Sequence, residues 1–413
     1  CLMNIKSLHI ITLLICLLTS VGLSQNSDRP DNLTLTNFQF GPINRWSYSH
    51  IREILPTANI AHDNKQTLIL KKDKTFLESF SVRHDGQEQL IDKIANDWYI
   101  DGLLVLKDGN IVFEKYYGHL TEDKPHLMNS ISKSVVGLLA GSLENEGLID
   151  FSRTVSHYVP ELEESGWGSD SLQTVLDMQD GSDYTEDYPD FTTTFRLQDC
   201  VIGWIADDYC PEILPFGGYE FFPTIGRNES KTGKFSYRSG STDVLGWVLE
   251  AATGTSLPEL ISKYLWKPMG AEFDAYITVD RSGFALGSRG MNSTLRDLSR
   301  LGLLVMNKGK AFGEQVIPAI FIEDIHAQAG DPHWPYASSD NLAPYYRSFW
   351  WGIGNKERDL NGIGIHGQYL RVAPEAGIVI ALYSSWPDAD GNKEHQYWEN
   401  TENLLDAIVT KFR

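Results

Sequence analysis

Residues 129–143 constrain the chain more than any other stretch, because a polar start, Asn-Ser-Ile-Ser-Lys-Ser, runs directly into an apolar segment. Apolar side chains recur there at helical spacing and Gly147 follows as a stop signal, which predicts a buried helix beginning near Ser130. Residues three apart share a helix face, so Lys133 is expected beside the Ser130 hydroxyl, where the unpaired N–H groups of the first turn favour negative charge. A serine with a neighbouring lysine suits acyl transfer. In an isolated Ser-x-x-Lys the serine is usually only a helix cap, so further motifs are required.

Two later motifs supply further chemistry. Residues 236–240 read Ser-Tyr-Arg-Ser-Gly and lie directly before a helix predicted to start near Asp243. Tyr237 can relay protons if a neighbouring ammonium lowers its pKa, and Lys133 is the expected neighbour. Residues 362–368 read Gly-Ile-Gly-Ile-His-Gly-Gln and enter a predicted strand, where backbone N–H groups can form an oxyanion hole opposite the helix terminus. Taken singly, Tyr237 reads as a packing residue and the glycine-rich run as an ordinary turn.

The pattern along the chain predicts strands at both ends and helices between them. A hairpin is expected from Gly102 to Tyr117, with its turn at residues 108–110. Further strands are predicted at 67–70, 80–82, 349–353, 365–372 and 378–383, and helices at 172–178, 243–252, 257–265 and 293–306, with a closing amphipathic helix from about Trp398. We therefore expect an α/β (α+β) protein with one antiparallel sheet built from both chain ends and flanked by helices, plus a mostly helical inserted region at about residues 148–303.

The first 24 residues predict export. A charged start, a short apolar centre and a small-residue exit are typical of a secretory signal, and the apolar centre is too short for a membrane span. Cleavage is expected near Ser24. A lipid-anchored form is the alternative, which the position of Cys16 inside the apolar run, behind bulky Ile15, disfavours. The predicted division is a signal peptide at 1–24, an N-terminal lead and extension at 25–100 and a hydrolase domain at 101–413. The mature protein is expected in the periplasm or outside the cell, with no membrane span after signal removal.

Signal removal leaves Cys200 and Cys210, which in an exported protein are a candidate disulfide, with two free buried thiols as the alternative.

A formal net charge of −20 argues against a nucleic-acid partner. The partner predicted is a small-molecule amide or ester, and the sequence gives no oligomeric state.

Residues 182–232 are predicted to form a pocket wall or lid, because a stretch this long, rich in aromatic, Asp, Pro and Gly residues, is unusual for a plain loop. Its aromatic side chains are Tyr184, Tyr188, Phe191, Phe195, Trp204 and Tyr209, and its carboxylates are Asp183, Glu186, Asp187 and Asp190. We expect the carboxylates to favour substrates with a positive amine, and Tyr184 or Tyr188 to donate a hydrogen bond near the scissile group. A plain surface loop is the alternative.

In this order, Ser-x-x-Lys, Tyr-x-Ser and the glycine-rich strand resemble the serine-reactive β-lactamase and penicillin-binding-protein superfamily, in its class C-like branch. The flanking sequence is most similar to that of 6-aminohexanoate-dimer hydrolases and related esterases. The resemblance covers most of the chain from about Gly102, and its supporting stretches are 147–150, 176–181, 245–250, 289–292, 296–298 and 364–368. It implies a β-lactamase/transpeptidase-like fold.

The resemblance also implies roles for single residues. Ser130 is the acylated nucleophile, Lys133 and Tyr237 share the work of general base and acid, and Ser239 stands where the family usually has asparagine. The N–H groups of Ser130 and Ile365 form the oxyanion hole. Because the Lys-Thr-Gly strand motif of the family is replaced here, a second alignment puts the N–H of Gln368 in place of that of Ile365. The strand residues expected to support the site or bind substrate are His366, Gly367 and Gln368.

These expectations amount to an exported serine hydrolase that cleaves an amide or ester through an acyl-enzyme, without metal or cofactor. The missing basic residue of Lys-Thr-Gly weakens the alternative of a β-lactamase or D-alanyl-D-alanine carboxypeptidase. A second alternative is a penicillin-binding sensor that does not turn over. A literal Lys-Thr-Gly at 231–233 precedes Tyr237 in a polar turn, so its order excludes it. The match of residues 362–367 to a dinucleotide fingerprint fails because a strand, not a helix, follows.

Overall fold

A computed structural model describes residues 28–84, 86–205, 210–328, 345–391 and 396–413. The predicted signal peptide and Tyr209 lie outside the described residues. The strands are β1 (Thr57–Ile60), β2 (Ser81–His84), β3 (Gln87–Leu90), β4 (Ile100–Lys107), β5 (Asn110–Tyr116), β6 (His126–Leu127), β7 (Ala275–Thr278), β8 (Met291–Ser293), β9 (Lys310–Ala311), β10 (Glu314–Gln315), β11 (Tyr345–Arg347), β12 (Trp350–Gly352), β13 (Leu360–Gly364), β14 (Gln368–Ala373) and β15 (Ile378–Ser384). The α-helices are α1 (Asn44–Ser47), α2 (Ile91–Asp97), α3 (Ile131–Asn145), α4 (Val155–Tyr158), α5 (Leu172–Leu176), α6 (Thr194–Val201), α7 (Gly218–Phe221), α8 (Ser239–Thr253), α9 (Leu257–Ile261), α10 (Leu295–Met306), α11 (Ala319–Gln328) and α12 (Tyr397–Phe412).

A seven-stranded antiparallel sheet lies at the centre of the fold, in the order β11-β12-β13-β14-β15-β4-β5. Strands from the two ends of the chain meet where β15 pairs with β4, with Ile378 opposite Lys107 and Leu382 opposite Leu103. Helix α10 packs against β14 and β15, and α3 packs against β12, β13 and β14. The predicted class, an antiparallel sheet built from both chain ends and flanked by helices, is confirmed.

The middle of this sheet is covered on both faces. Strand β15 is buried along its whole length, and β4 along all but its last residue. This double burial explains why both strands read in the sequence as continuous apolar runs and not as alternating polar and apolar positions.

A second, four-stranded sheet has the order β1-β7-β8-β6 and positions the chain segment that leads into α3. Strand β6 pairs with β8, and the Met128 N–H donates to the Met291 carbonyl at 2.9 Å. The N-terminal extension takes part, since β1 pairs with β7 and the Leu127 N–H donates to the Tyr48 carbonyl at 2.8 Å. Phe38 and Tyr48 are completely buried here. Residues of the predicted lead and extension therefore pack behind the start of α3, while the boundary predicted at residue 100 stays a prediction.

Three predicted elements differ from the structure. The strand predicted at 365–372 is present as β14, but it begins at Gln368, because a three-residue turn separates it from the end of β13 at Gly364. His366 has a φ of +61° and Gly367 a φ of +85°, so both residues of the turn are left-handed, which is the ordinary turn that the glycine-rich run also allowed. Residues 67–70 form no strand, and α8 begins at Ser239, earlier than predicted, because its polar first turn lacks the apolar periodicity that marks a helix.

The predicted lid contains a helix of its own, α6, which begins where the Thr193 side chain accepts a hydrogen bond from the Arg196 N–H. A disulfide joins Cys200 at the end of this helix to Cys210, so the predicted bridge is confirmed. Among the described residues, no helix combines the length and the apolar character needed to cross a membrane.

Candidate active site

Ser130 lies at the N-cap of α3, as predicted from the local sequence. The residue is only 7% exposed, so it is largely buried. The Lys133 amine donates to Ser130 Oγ at 2.9 Å, which is the contact expected of residues three apart on one helix face. Asn129 precedes the pair with a φ of +45°, a left-handed conformation that turns the chain sharply into the helix.

Lys133 is completely enclosed, and its amine has a second acceptor in the Ser288 carbonyl, also at 2.9 Å. Burial disfavours the ammonium and lowers the pKa of Lys133 to about 8, although the charges of Glu186 and Asp243 oppose this shift. With that pKa about one amine in ten is neutral at pH 7. Lys133 is therefore able to accept a proton from Ser130 near neutral pH.

The Tyr237 side chain lies beside Ser130 and Lys133. The Lys133 amine lies 4.9 Å from the centroid of the Tyr237 ring, and the phenol hydrogen-bonds with Ser130. On its other side the ring stacks on Trp351 with centroids 5.5 Å apart. The expectation that a neighbouring ammonium lowers the pKa of Tyr237 is wrong: burial, reinforced by the charge of Glu186, raises it. Tyr237 is thus a protonated phenol and a donor, which leaves Lys133 as the base of the two.

The end of β13 comes unusually close to the chain segment before Ser130. A Cβ on Gly364 would lie 2.6 Å from the Met128 carbonyl oxygen, so only glycine fits there. Just beyond, the Asn129 side-chain amide donates to the Ile365 carbonyl at 3.0 Å. These contacts seat the turn at Ile365 beside the N-terminus of α3, which is the arrangement that an oxyanion hole of the Ser130 and Ile365 N–H groups requires. That assignment of the two donors stays a prediction.

The other predicted strand residues shape this turn. The Gln368 side-chain amide donates to the carbonyls of His366 at 3.0 Å and Ser384 at 2.7 Å. His366 is buried, and its Nδ1 lies 2.7 Å from the Trp386 carbonyl, which it faces as a donor, while burial lowers its pKa to about 4. A Cβ on Gly367 would lie 2.4 Å from the Trp386 ring. Of the two predicted roles, support of the site and substrate binding, these contacts favour support.

The carboxylate of Glu186 joins the predicted lid to the site. It accepts the Ser239 N–H at 2.6 Å, the Ser239 hydroxyl at 2.9 Å and the Tyr188 hydroxyl at 2.9 Å. Because Ser239 is the first residue of α8, Glu186 caps this helix from outside and meets the positive end of its dipole. Ser239 therefore faces the lid. The Tyr184 hydroxyl points elsewhere, to Gln198 Oε1 at 2.5 Å.

Two other lid carboxylates make contacts of their own. Asp183 pairs with Lys231 at 2.7 Å, and Asp190 accepts hydrogen bonds from Thr192 in an exposed turn. Lys231 of the literal Lys-Thr-Gly is thus a surface ion-pair partner. Among the residues that the structure describes, no group of three or more His, Cys, Asp or Glu side chains is arranged to hold a metal ion.

Two residues without a predicted role support the site. Ser288 supplies the carbonyl to Lys133, and Asp243 accepts hydrogen bonds from both the N–H and the hydroxyl of Ser288 at 2.8 Å. Nothing in the local sequence marks Ser288. Asp243 carried a usable signal, because a carboxylate that enters an apolar helix must find partners.

Comparison with known proteins gives a consistent result. The family model described as Beta-lactamase matches residues 93–402. A protein of Paenarthrobacter ureafaciens named 6-aminohexanoate-dimer hydrolase is 35% identical over 364 residues, which are 88% of this chain and 90% of that protein. A solved structure from Bacillus anthracis, provisionally described as a 6-aminohexanoate-dimer hydrolase, has a TM-score of 0.81 at 27% identity over 92% of this chain and 98% of its own. A family VIII carboxylesterase, 14% identical with a TM-score of 0.53 over 78% of this chain and 95% of its own, shares the fold.

Proposed function

Because the chain belongs to the Beta-lactamase family and is a hydrolase, we propose that it cleaves a short linear amide or ester through a covalent acyl-enzyme on Ser130. The observation that carries this proposal is the 2.9 Å contact between the Lys133 amine, whose pKa burial lowers to about 8, and Ser130 Oγ. A weak alcohol nucleophile becomes effective when such a base takes its proton.

Acylation uses the three side chains in sequence. The neutral Lys133 amine takes the Ser130 proton as Oγ attacks the substrate carbonyl, and the N–H groups of Ser130 and Ile365 receive the negative charge that develops on the carbonyl oxygen. Tyr237 gives its phenolic proton to the leaving amine or alkoxide as the bond to the carbonyl carbon breaks. The Lys133 ammonium then returns a proton to the Tyr237 phenolate, which restores both groups. In deacylation a water oxygen attacks the acyl carbonyl carbon, the bond from that carbon to Ser130 Oγ breaks, and the proton released by water passes through Tyr237 and Lys133 to Oγ.

A linear substrate with a free amine fits the site better than a β-lactam. The relative at 35% identity is named as a hydrolase of the 6-aminohexanoate dimer. The carboxylate of Glu186 raises the pKa of Lys133 and of Tyr237, so a negative charge acts at the reacting groups. Such a charge attracts an ammonium and repels the carboxylate of a β-lactam. A β-lactamase or D-alanyl-D-alanine carboxypeptidase is the alternative enzyme.

The decisive test is a serine-reactive phosphonate together with turnover of a nitrophenyl ester. Ser130→Ala is expected to abolish both labelling and turnover while the protein stays folded. Ser142→Ala is the matched control: Ser142 lies on the same helix, but its hydroxyl donates to the Val316 carbonyl at 3.0 Å, away from Ser130. Turnover that survives Ser130→Ala, or labelling of another residue in the parent, would refute the proposal.

A second experiment tests which class of substrate the enzyme prefers and whether it releases product over many turnovers. The parent is assayed with short aminoacyl amides, their N-acetylated counterparts and a chromogenic cephalosporin. We expect the free-amine amides to be preferred, and Glu186→Gln to reduce that preference. A single burst equal to the enzyme concentration, with no further product, would instead identify a non-turnover penicillin-binding sensor.

We also propose export. The charged and apolar composition of residues 1–24 supports cleavage near Ser24. Mass spectrometry of the protein recovered from an expressing cell is expected to give an N-terminus near Gln25, and an intact segment would contradict the proposal.

A further inference from the structure

Lys133 is held at two points, and only one of them belongs to its own helix. Its amine donates to Ser130 Oγ and to the Ser288 carbonyl, each at 2.9 Å. A lysine amine sits on a flexible four-carbon stem, so a single contact to Ser130 leaves its direction open. The Ser288 carbonyl is the second point that fixes the amine on Ser130. The position of that carbonyl therefore decides how well the base and the nucleophile are aligned.

Ser288 lies in the turn of residues 287–289, which the Gly290 N–H closes on the Leu286 carbonyl at 2.8 Å. Within this turn Ser288 itself is held by Asp243 of α8. The Ser288 N–H donates to Asp243 Oδ1 and the Ser288 hydroxyl donates to Oδ2, both at 2.8 Å. Both residues are completely buried, where charge-assisted hydrogen bonds are strong and well directed.

The same carboxylate reaches the predicted lid. Asp243 Oδ2 also accepts the Gln198 side-chain amide at 2.7 Å, and Gln198 Oε1 accepts the Tyr184 hydroxyl at 2.5 Å. The hydrogen bonds thus run without a break from Tyr184 through Gln198, Asp243 and Ser288 to Lys133. Every member of this chain is at most 1% exposed.

We propose that Asp243 is a positioning residue for Lys133, which it holds on Ser130 by clamping Ser288. The inference rests on the proposed function, because it concerns the base of that reaction. Asp243 lies outside the sequence motifs. It acts on Lys133 in two ways, by fixing the position of the amine and through its own negative charge.

A purely structural carboxylate offers the contrast. Asp297 is also completely buried and accepts the N–H groups of Glu272 at 2.7 Å and Phe273 at 3.0 Å, but it is neutralised directly by Arg300 at 2.8 Å. No ion pair of Asp243 is found in the part of the chain that the structure describes. The nearby cation Arg289 is paired with Asp199. Burial raises the pKa of Asp243 and the charge of Arg289 opposes this shift, while the charge of Asp243 in turn raises the pKa of Lys133.

Three charged groups face the Lys133 amine. Glu186 and Asp243 raise its pKa, Arg289 lowers it, and the phenol of Tyr237 completes the surroundings. Since a neutral amine is the active form, kcat/KM rises with pH through the pKa of Lys133. Removing the charge of Asp243 lowers that pKa and moves the rise to lower pH, whereas a variant that disturbs packing alone does not move it.

The test compares Asp243→Asn, Ser288→Ala and the control Asp297→Asn, with kcat/KM expressed per site titrated by the phosphonate. Asp243→Asn is expected to lower the plateau of kcat/KM about 100-fold and to move its rise by about half a pH unit or more to lower pH. Ser288→Ala keeps the charge and the carbonyl, so we expect a loss of roughly 3- to 10-fold with the rise unmoved. Asp297→Asn is expected to lower the unfolding midpoint, while the plateau of kcat/KM and the pH at which kcat/KM rises stay those of the parent.

An Asp243→Asn enzyme whose rise in kcat/KM stays at the parent pH would overturn the proposal, and so would a plateau equal to that of the parent. If Asp243→Asn does not fold, the kcat/KM of Ser288→Ala provides the test. A kcat/KM equal to that of the parent in this variant would contradict the proposal that Asp243 positions Lys133 through Ser288. Failure of the proposed function is distinguishable, because the parent itself would then show no label on Ser130.

Discussion

Gly364→Ala tests the close approach between the end of β13 and the start of α3. The new Cβ would lie 2.6 Å from the Met128 carbonyl oxygen and 3.1 Å from the Asn129 Cβ. The carbonyl cannot swing away, because it accepts the Ile131 N–H at 3.2 Å and the Met128 N–H is bonded to Met291 at 2.9 Å. The strand end must therefore move by roughly 0.5 to 1 Å to reach an ordinary contact distance.

A displacement of that size acts on the N–H of Ile365, the next residue. Misplacement by about 1 Å costs about 100-fold in rate, and loss of one oxyanion donor costs about 100- to 1000-fold. We expect kcat/KM for a nitrophenyl ester to fall by about 100-fold or more, and overpacking to lower the free energy of unfolding by about 1–3 kcal/mol. The assay measures kcat/KM per phosphonate-titrated site, together with urea unfolding.

Two other glycines make the test specific. A Cβ on Gly362, two residues earlier on the strand, would lie 3.3 Å from Ser134 Oγ, so Gly362→Ala is expected to have a smaller effect. A Cβ on Gly226 meets nothing within 4 Å, and Gly226→Ala should match the parent. If Gly364→Ala folds and keeps kcat/KM within about threefold of the parent, the turn after β13 does not supply an oxyanion donor.

Three further predictions follow from the same site. In the parent enzyme kcat/KM should rise with pH through about 8, the pKa of Lys133, and a flat profile between pH 6 and 9 would exclude Lys133 as the base. Glu186→Gln leaves one of three donors without an acceptor, so urea unfolding should show a loss of about 1–3 kcal/mol, and the rise in kcat/KM should move to lower pH; an unchanged profile would contradict the charge effect. Replacing Cys200 and Cys210 by serine opens a loop of sequence separation 10, which should lower the free energy of unfolding by about 3 kcal/mol, and a change below about 0.5 kcal/mol would show that the bridge does not stabilise the protein.

Features set by local spacing were predictable from the sequence. The contact between Ser130 and Lys133 follows from residues three apart on a helix, and the β4–β5 hairpin follows from apolar runs around an Asp-Gly-Asn turn. The order of the motifs along the chain then pointed to the family, which the comparison confirmed. The fold class followed from strands at both ends of the chain.

Features set by contacts between distant residues were not predictable. Ser288 meets Lys133 only because β6 and β8 pair, and one sequence contains no signal for that pairing. The sequence does not distinguish a turn at His366 from a strand, because the contacts that stabilise its left-handed conformation come from distant groups such as the Trp386 carbonyl. The pKa of Tyr237 had the wrong predicted sign because the sequence shows the neighbouring charge but not the depth of burial, and burial is the larger effect.

The meeting of both chain ends in one sheet also sets the order of events during synthesis. Ile378 of β15 pairs with Lys107 of β4 about 270 positions earlier. At ribosomal speeds of about 5–20 residues per second, roughly 15 to 50 s separate the two strands. For that time the apolar β4 has its hairpin partner β5 on one edge and no native partner on the other, and such an edge invites pairing with other chains. We expect the turn at Ile365 to settle against α3 only when the sheet closes, and hydrolase activity to appear only after β15 has emerged.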